Sequence, residues 1–227
     1  MMRQEEMKNT ELFDLDQTIA ARLFGMYTYP WEALSHIGKC ITSVGKHLPE
    51  EEYQKLGNNI WIHRSAKIAR SVMMTGPAII CAGAEIRHGA FLRGNTIIGE
   101  GAVVGNSCEL KNVILFNGVQ VPHFNYVGDS ILGYKAHLGA GAVTSNVKSD
   151  KTLVKVHAAD GDIETGLKKM GAILGDGVEV GCNSVLNPGT VIGKNTNVYP
   201  LSSVRGCVAP NSIYKKQDDV VAKEERE

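Results

Sequence analysis

From Ile62 onward the chain keeps an apolar residue at every sixth position: Ile62, Ile68, Met74, Ile80, Ile86, Leu92, Ile98, Val104, Leu110 and Phe116. The frame slips by two residues and resumes at Leu132, Leu138 and Thr144. After a polar stretch it returns as Leu174, Val180, Leu186, Ile192, Val198 and Val204. A small or β-branched residue follows four places later in most hexads, among them Ala66, Ala84, Ala102, Ala136, Ala142, Ser184 and Ser202. Glycine often comes directly after the aliphatic, as at Gly99, Gly105, Gly139 and Gly181. A helix repeats every ~3.6 residues and a strand about every two, so a period of six suits neither. It suits a triangular coil, in which each wall takes six residues and then turns a corner. The aliphatic points inward, and glycine or asparagine relieves the backbone where the chain turns. Three hexads close one coil and coils stack at strand spacing, so the pattern predicts an all-β solenoid of about six coils.

Residues 1–58 follow another rhythm. Leu12, Leu15, Ile19 and Leu23, then Leu34, Ile37, Ile41 and Val44, recur at three- and four-residue spacing, which predicts an N-terminal helical segment capping the solenoid. The solenoid is expected over 59–213 and a charged tail over 214–227. The period fails twice, at about 117–131 and 146–171, and both stretches are expected to leave the coil as loops. Insertions and irregular positions are where a solenoid carries function, because its regular coils satisfy themselves.

Charge narrows the partners. The 24 basic and 24 acidic side chains cancel, which argues against nucleic acid or an anionic membrane surface as the main partner. No run approaches the ~20 apolar residues of a membrane helix. The five cysteines are widely spaced with no CxxC pair and read as reduced thiols, so the expected location is the cytoplasm. No two of the seven histidines have the close spacing of a zinc pair, and no metal is expected.

The hexads match the hexapeptide-repeat proteins, whose fold is a left-handed parallel β-helix. The first break and its flanks, VGNSCELKNVILFNGVQVPHFNYVGDSILG at 104–133, resemble the acetyltransferase half of bifunctional N-acetylglucosamine-1-phosphate uridylyltransferases. The stretches NVKSDKTLVKV at 146–156 and TGLKKMGAILGDGVEVGCNSVLNPGTVIG at 165–193 are similar to the archaeal-type sugar-phosphate nucleotidylyltransferase/acetyltransferases. The resemblance covers about 85–220. It implies an acyltransferase that takes acetyl-CoA, or another acyl-CoA, as co-substrate and a phosphorylated sugar as acceptor, working as a homotrimer with sites shared between chains. The first 60 residues hold no Gly-rich phosphate loop and are too few for a nucleotidylyltransferase domain.

Carried over residue by residue, the resemblance makes His123 the general base and sets Arg93, Lys111 and Tyr126 on the phosphorylated acceptor. Asn125 is a further acceptor candidate, as is His137, which replaces the family's asparagine. On the acyl-donor side it implies Ala140, Asn146, Lys155 and Cys182, the last replacing a serine. Physical chemistry agrees with two of these roles: imidazole titrates near neutrality and can take a proton from an attacking amine or hydroxyl. Arg93 and Lys111 stand one eighteen-residue coil apart, so they are expected to stack on one edge as a phosphate clamp. Val147, Pro200 and Gln217 depart from the family pattern, and the alternative reading is a catalytically silent trimeric sugar-phosphate-binding or scaffold protein. Outward apolar residues such as Val103, Ile114 and Val185 are expected to be covered by trimer packing.

Overall fold

The computed structural model describes residues 1–57 and 59–224. Asn58, where the helical segment was expected to end, and the last three residues of the expected tail lie outside the described residues. The chain is a left-handed parallel β-helix of three walls. Among the described residues the first wall has eight rungs, starting with Ile60–His63, Ala78–Ile80 and Thr96–Ile98 and ending with Cys207–Val208. The second wall also has eight, from Lys67–Ile68 to Ser212–Lys216. The third has seven, from Met73–Thr75 to Ser203–Val204.

That exceeds the expected six coils, and the first break is part of the reason. Residues 117–131 do not leave the solenoid. Gln120–His123 forms a second-wall rung, and the strand Tyr126–Leu132 supplies rungs of the third and first walls in parallel register with Glu109–Leu115. The irregularity is two successive shortened coils of seventeen residues each: Ile98 pairs with Leu115, and Leu115 with Leu132. The inward frame therefore moves to Leu115, and Phe116 points outward. Its ring packs at 4.8 Å from Phe13 and 5.4 Å from Phe24 of the N-terminal segment.

The N-terminal segment holds three short α-helices, α1 (Asn9–Leu12), α2 (Ala21–Phe24) and α3 (Ile37–Gly45), with a 3-10 helix at Pro30–His36. It lies over the outer face of the first wall. Side chains alternate in a strand, so the middle residue of a rung faces out, and in the six rungs between the first and the last these are Ile79, Ile97, Ile114, Ile131, Ile173 and Val191. All six have 0% exposure. The α3 helix approaches very closely: a Cβ on Gly45 would lie 2.4 Å from the Trp61 ring, so only glycine fits there. Ile114, expected to need a neighbouring chain, is covered by its own. At about 25 cal/mol per Å² of apolar surface, this burial is a main source of cohesion between the two parts.

Residues 145–171 do leave the solenoid. They carry an antiparallel hairpin, Lys155–Ala158 against Gly161–Glu164. Val154 and Val156 are buried, the Ala159 N–H donates to the Met2 carbonyl, and the Gln4 N–H donates to Asp160. The hairpin thus folds back on its own chain rather than reaching outward. At the C-terminus the expected tail begins inside a strand: Ser212–Lys216 pairs with Asp219–Ala222, and buried Tyr214 donates its hydroxyl to Ser203. Among the described residues no helix is long and apolar enough to cross a membrane.

Candidate functional site on the third wall

The corner between the second and third walls is a ladder of equivalent positions. Successive backbone bonds link His88, Asn106, His123, Ala140, Cys182 and Pro200, each carbonyl accepting from the residue that follows the next rung: Phe124 to Asn106, Gly141 to His123, Asn183 to Ala140 and Leu201 to Cys182. His123, Ala140 and Cys182 therefore stand on one edge, with His123 and Cys182 exposed. Two features hold His123 in place. Gly105 lets the Pro122 carbonyl approach so closely that a Cβ would fall on it. The His123 N–H donates to Asn125 Oδ1 at 3.0 Å.

Asn125 itself faces inward, at 2% exposure. Its Nδ2 donates to the carbonyls of Gly139 at 2.8 Å and Ala142 at 2.9 Å. With its amide committed on both sides it braces the corner and cannot reach a ligand on the outer face. That corrects its expected place among the acceptor contacts.

The outer face of the third wall has two columns. One runs Met73, Phe91, Glu109, Tyr126, Val143 and Val185; the other holds Thr75, Arg93, Lys111 and Gly128. Arg93 and Lys111 do occupy neighbouring rungs of one column. Each already has a carboxylate. Arg93 Nη1 meets Glu109 Oε1 at 2.6 Å in an exposed pair, and Lys111 Nζ meets Asp129 Oδ2 at 3.3 Å. Neither cation is saturated, because guanidinium offers five N–H donors and ammonium three.

Asp129 is buried, at 5% exposure, and held in the left-handed region at φ 48°. Besides Lys111 it accepts from Asn112 Nδ2 at 3.0 Å and from Asn146 Nδ2 at 2.5 Å. Asn146 also donates to the Tyr126 hydroxyl at 3.3 Å. Burial pushes the Tyr126 phenol above its ordinary value, and the Asp129 carboxylate adds to that shift. A side chain at Gly128 would fill the space between Tyr126 and Asn146, since its Cβ would come within 2.5 Å of the Tyr126 hydroxyl and 2.9 Å of Asn146 Nδ2. Gly128 therefore lets the Tyr126 hydroxyl and Asn146 lie directly against the backbone beside Lys111.

The sequence candidates fall into three groups. Arg93, Lys111, Tyr126 and Asn146 meet on the third wall, and His123, Ala140 and Cys182 share its near edge. His137 and Lys155 stand apart. His137 opens its second-wall rung, opposite Gln120, so it sits at the far end of that wall from His123, and its Nδ1 lies 2.7 Å from Glu179. Lys155 is on the hairpin, paired with Glu164 at 2.6 Å. Reading the sequence for site residues passed over Glu109, Gly128 and Asp129. The available signal was the pair Gly128-Asp129, two and three residues after Tyr126, where the period of six fails.

The family model described as "GMPPB C-terminal domain" matches residues 74–181. The chain is 31% identical over 216 residues to the bifunctional protein GlmU of Methanococcus maripaludis, covering 87% of this chain and 48% of that protein. It is 33% identical over 178 residues to the bifunctional sugar-1-phosphate nucleotidylyltransferase/acetyltransferase of Sulfurisphaera tokodaii, covering 70% and 44%. An uncharacterized acetyltransferase YaiX of Escherichia coli is 29% identical over 198 residues, covering 77% and 86%. The chain spans about half the length of the bifunctional relatives it matches. It is a hexapeptide-repeat β-helix protein, homologous to the bifunctional nucleotidylyltransferase/acetyltransferases.

Proposed function

We propose that the chain is an acetyl-CoA-dependent acyltransferase acting on the amine or hydroxyl of a phosphorylated sugar, with His123 as general base. The observation that carries this reading is one continuous surface: a proton acceptor on one edge of the third wall, two unsaturated cations on the other, and the Tyr126 hydroxyl between them. Five residues separate His123 from Gly128 in the column of Lys111, at most about 16 Å of extended chain, a gap that a sugar ring, its phosphate and two long cationic side chains can bridge. In the reaction the acceptor nitrogen or oxygen attacks the thioester carbonyl. The new C–N or C–O bond replaces C–S, His123 takes the acceptor's proton, and the thiolate leaves to be protonated. Ala140 and Cys182, in line with His123, mark the edge along which the acyl donor would lie.

The acceptor site is completed by a second chain, in a trimer. With the first wall already covered, the second and third remain for assembly, and both carry outward apolar residues: Val103 is half-buried, Val185 37% exposed and Met73 64% exposed. Sedimentation tests this, and a monodisperse monomer at micromolar concentration would remove the shared site. Turnover of acetyl-CoA across a small panel of amino-sugar phosphates tests the reaction. Binding of those sugars without turnover would assign the silent scaffold instead.

A further inference from the structure

The helical segment has a cleft of its own. It has a volume of about 690 Å³ and opens between the α2 turn and α3, on the segment that covers the first wall. Its floor is apolar, formed by Leu23, Val44 and Leu48 among others. Its rim carries Arg22, Lys39, His36 and His47, and no Asp or Glu lines it. Arg22 and Lys39 are exposed, and among the described residues neither has a carboxylate within ion-pair distance. Two cations and two imidazoles around an apolar floor, in a cleft the size of a small-molecule site, define the complementary ligand.

We propose that this cleft binds a small amphipathic anion: one phosphate or carboxylate head, held by Arg22 and Lys39, on an apolar body seated against Leu23 and Val44. The site is separate from the third wall, because none of the side chains assigned to acyl transfer lines it. The apolar floor asks for a body that water does not solvate well, and the rim asks for a negative charge at one end of it.

Cys40 makes the cleft testable. It lines the cavity, is half-buried, and differs in peptide from the exposed Cys182. The rate of Cys40 alkylation by N-ethylmaleimide, at a pH of about 8.5, would be followed by peptide mass in the full chain, with Cys182 as internal control. The probes are adenosine 5′-monophosphate and decanoate, each against its neutral counterpart, adenosine or decanol, with inorganic phosphate as the head alone. The expected result is that at least one anion slows Cys40 alkylation while Cys182 is unchanged. Its neutral counterpart should need roughly ten- to a hundredfold more for the same protection, the worth of charge-assisted bonds. Whichever anion protects identifies the body as aromatic or aliphatic. The exposed double substitution Arg22→Gln with Lys39→Gln should erase the preference for the anion and leave the melting temperature unchanged. Failure of both anions to protect, equal protection by neutral counterparts, or a preference that survives the double substitution would each overturn the proposal.

Discussion

The first and third walls are built from the same repeat, yet their outer faces have opposite fates. Inside, both follow one rule, with Ile80, Ile98 and Leu115 on the first wall and Leu92, Leu110 and Val127 on the third all fully buried. Outside, the first wall is an isoleucine ladder sealed by the chain's own N-terminal segment, and the third presents Arg93, Glu109, Lys111 and Tyr126 to solvent. The hexad thus specifies only the inward residue. The outward residue between two inward ones is free, and it decides whether a wall is for cohesion or for chemistry. A single substitution on each wall should accordingly move different observables.

The largest effect is expected at the edge of the third wall. His123→Ala should cut acetyl transfer by roughly 10²–10⁴-fold, the usual worth of a positioned general base. Its denaturation midpoint should stay near wild type, because the exposed imidazole supports no core contact. Turnover close to wild type on the best acceptor would remove His123 from the reaction. On the first wall the reverse is expected. Ile97→Ala should cost about 2–5 kcal/mol of stability, because it empties a fully buried site under α3. The half-exposed Phe91 on the third wall should cost about 1 kcal/mol or less when replaced by alanine. Chemical denaturation of both variants measures the contrast, and equal losses would mean that the two faces do not differ as described.

How much of this was legible in the chain depends on which side of the wall is asked about. The inward ladder was plain, because a period of six over so many residues has few other causes. The shortened coils were not: dropping one residue twice, between Ile98, Leu115 and Leu132, breaks the period on paper as an inserted loop would. Only the pairing of backbone groups tells the two apart. Asn125 illustrates the same limit. A polar residue beside a histidine reads as a ligand contact, whereas the corner needed an amide to satisfy the Gly139 and Ala142 carbonyls. The helical spacing of Leu34, Ile37 and Ile41 announced a buried face but not which wall would bury it, since that depends on a contact distant in sequence. Asp129 was visible as a residue and not as a role, because its partners Lys111, Asn112 and Asn146 meet only when coils stack.

The two cations of the third wall sharpen the comparison on a smaller scale. Lys111→Ala should weaken a phosphorylated acceptor by roughly ten- to a hundredfold. It should also lower stability by about 1–3 kcal/mol, because it leaves the buried Asp129 carboxylate with amide donors only. Arg93→Ala should weaken the same acceptor by roughly tenfold with no change in the denaturation midpoint, since its partner Glu109 is solvated. The unphosphorylated sugar should be indifferent to both. Equal loss for both sugars would show that the pair does not read phosphate.

The smallest effect is the most specific. Glu109 holds one arm of the Arg93 guanidinium in an exposed ion pair, and such pairs contribute little to folding because water and salt screen them. The same pair nonetheless occupies a donor that a phosphate would use, so acceptor and Glu109 compete for it. Glu109→Gln keeps the shape and the hydrogen bond and removes the charge. The expected outcome is an acceptor affinity raised by a few fold, an unchanged denaturation midpoint and an unchanged affinity for the unphosphorylated sugar, all measured at low ionic strength, where screening is weakest. The gain should shrink as salt is added, because both the lost repulsion between Glu109 and phosphate and the gained attraction to Arg93 act through solvent. A lower affinity in the variant would mean that Glu109 orients the guanidinium for the phosphate rather than competing with it.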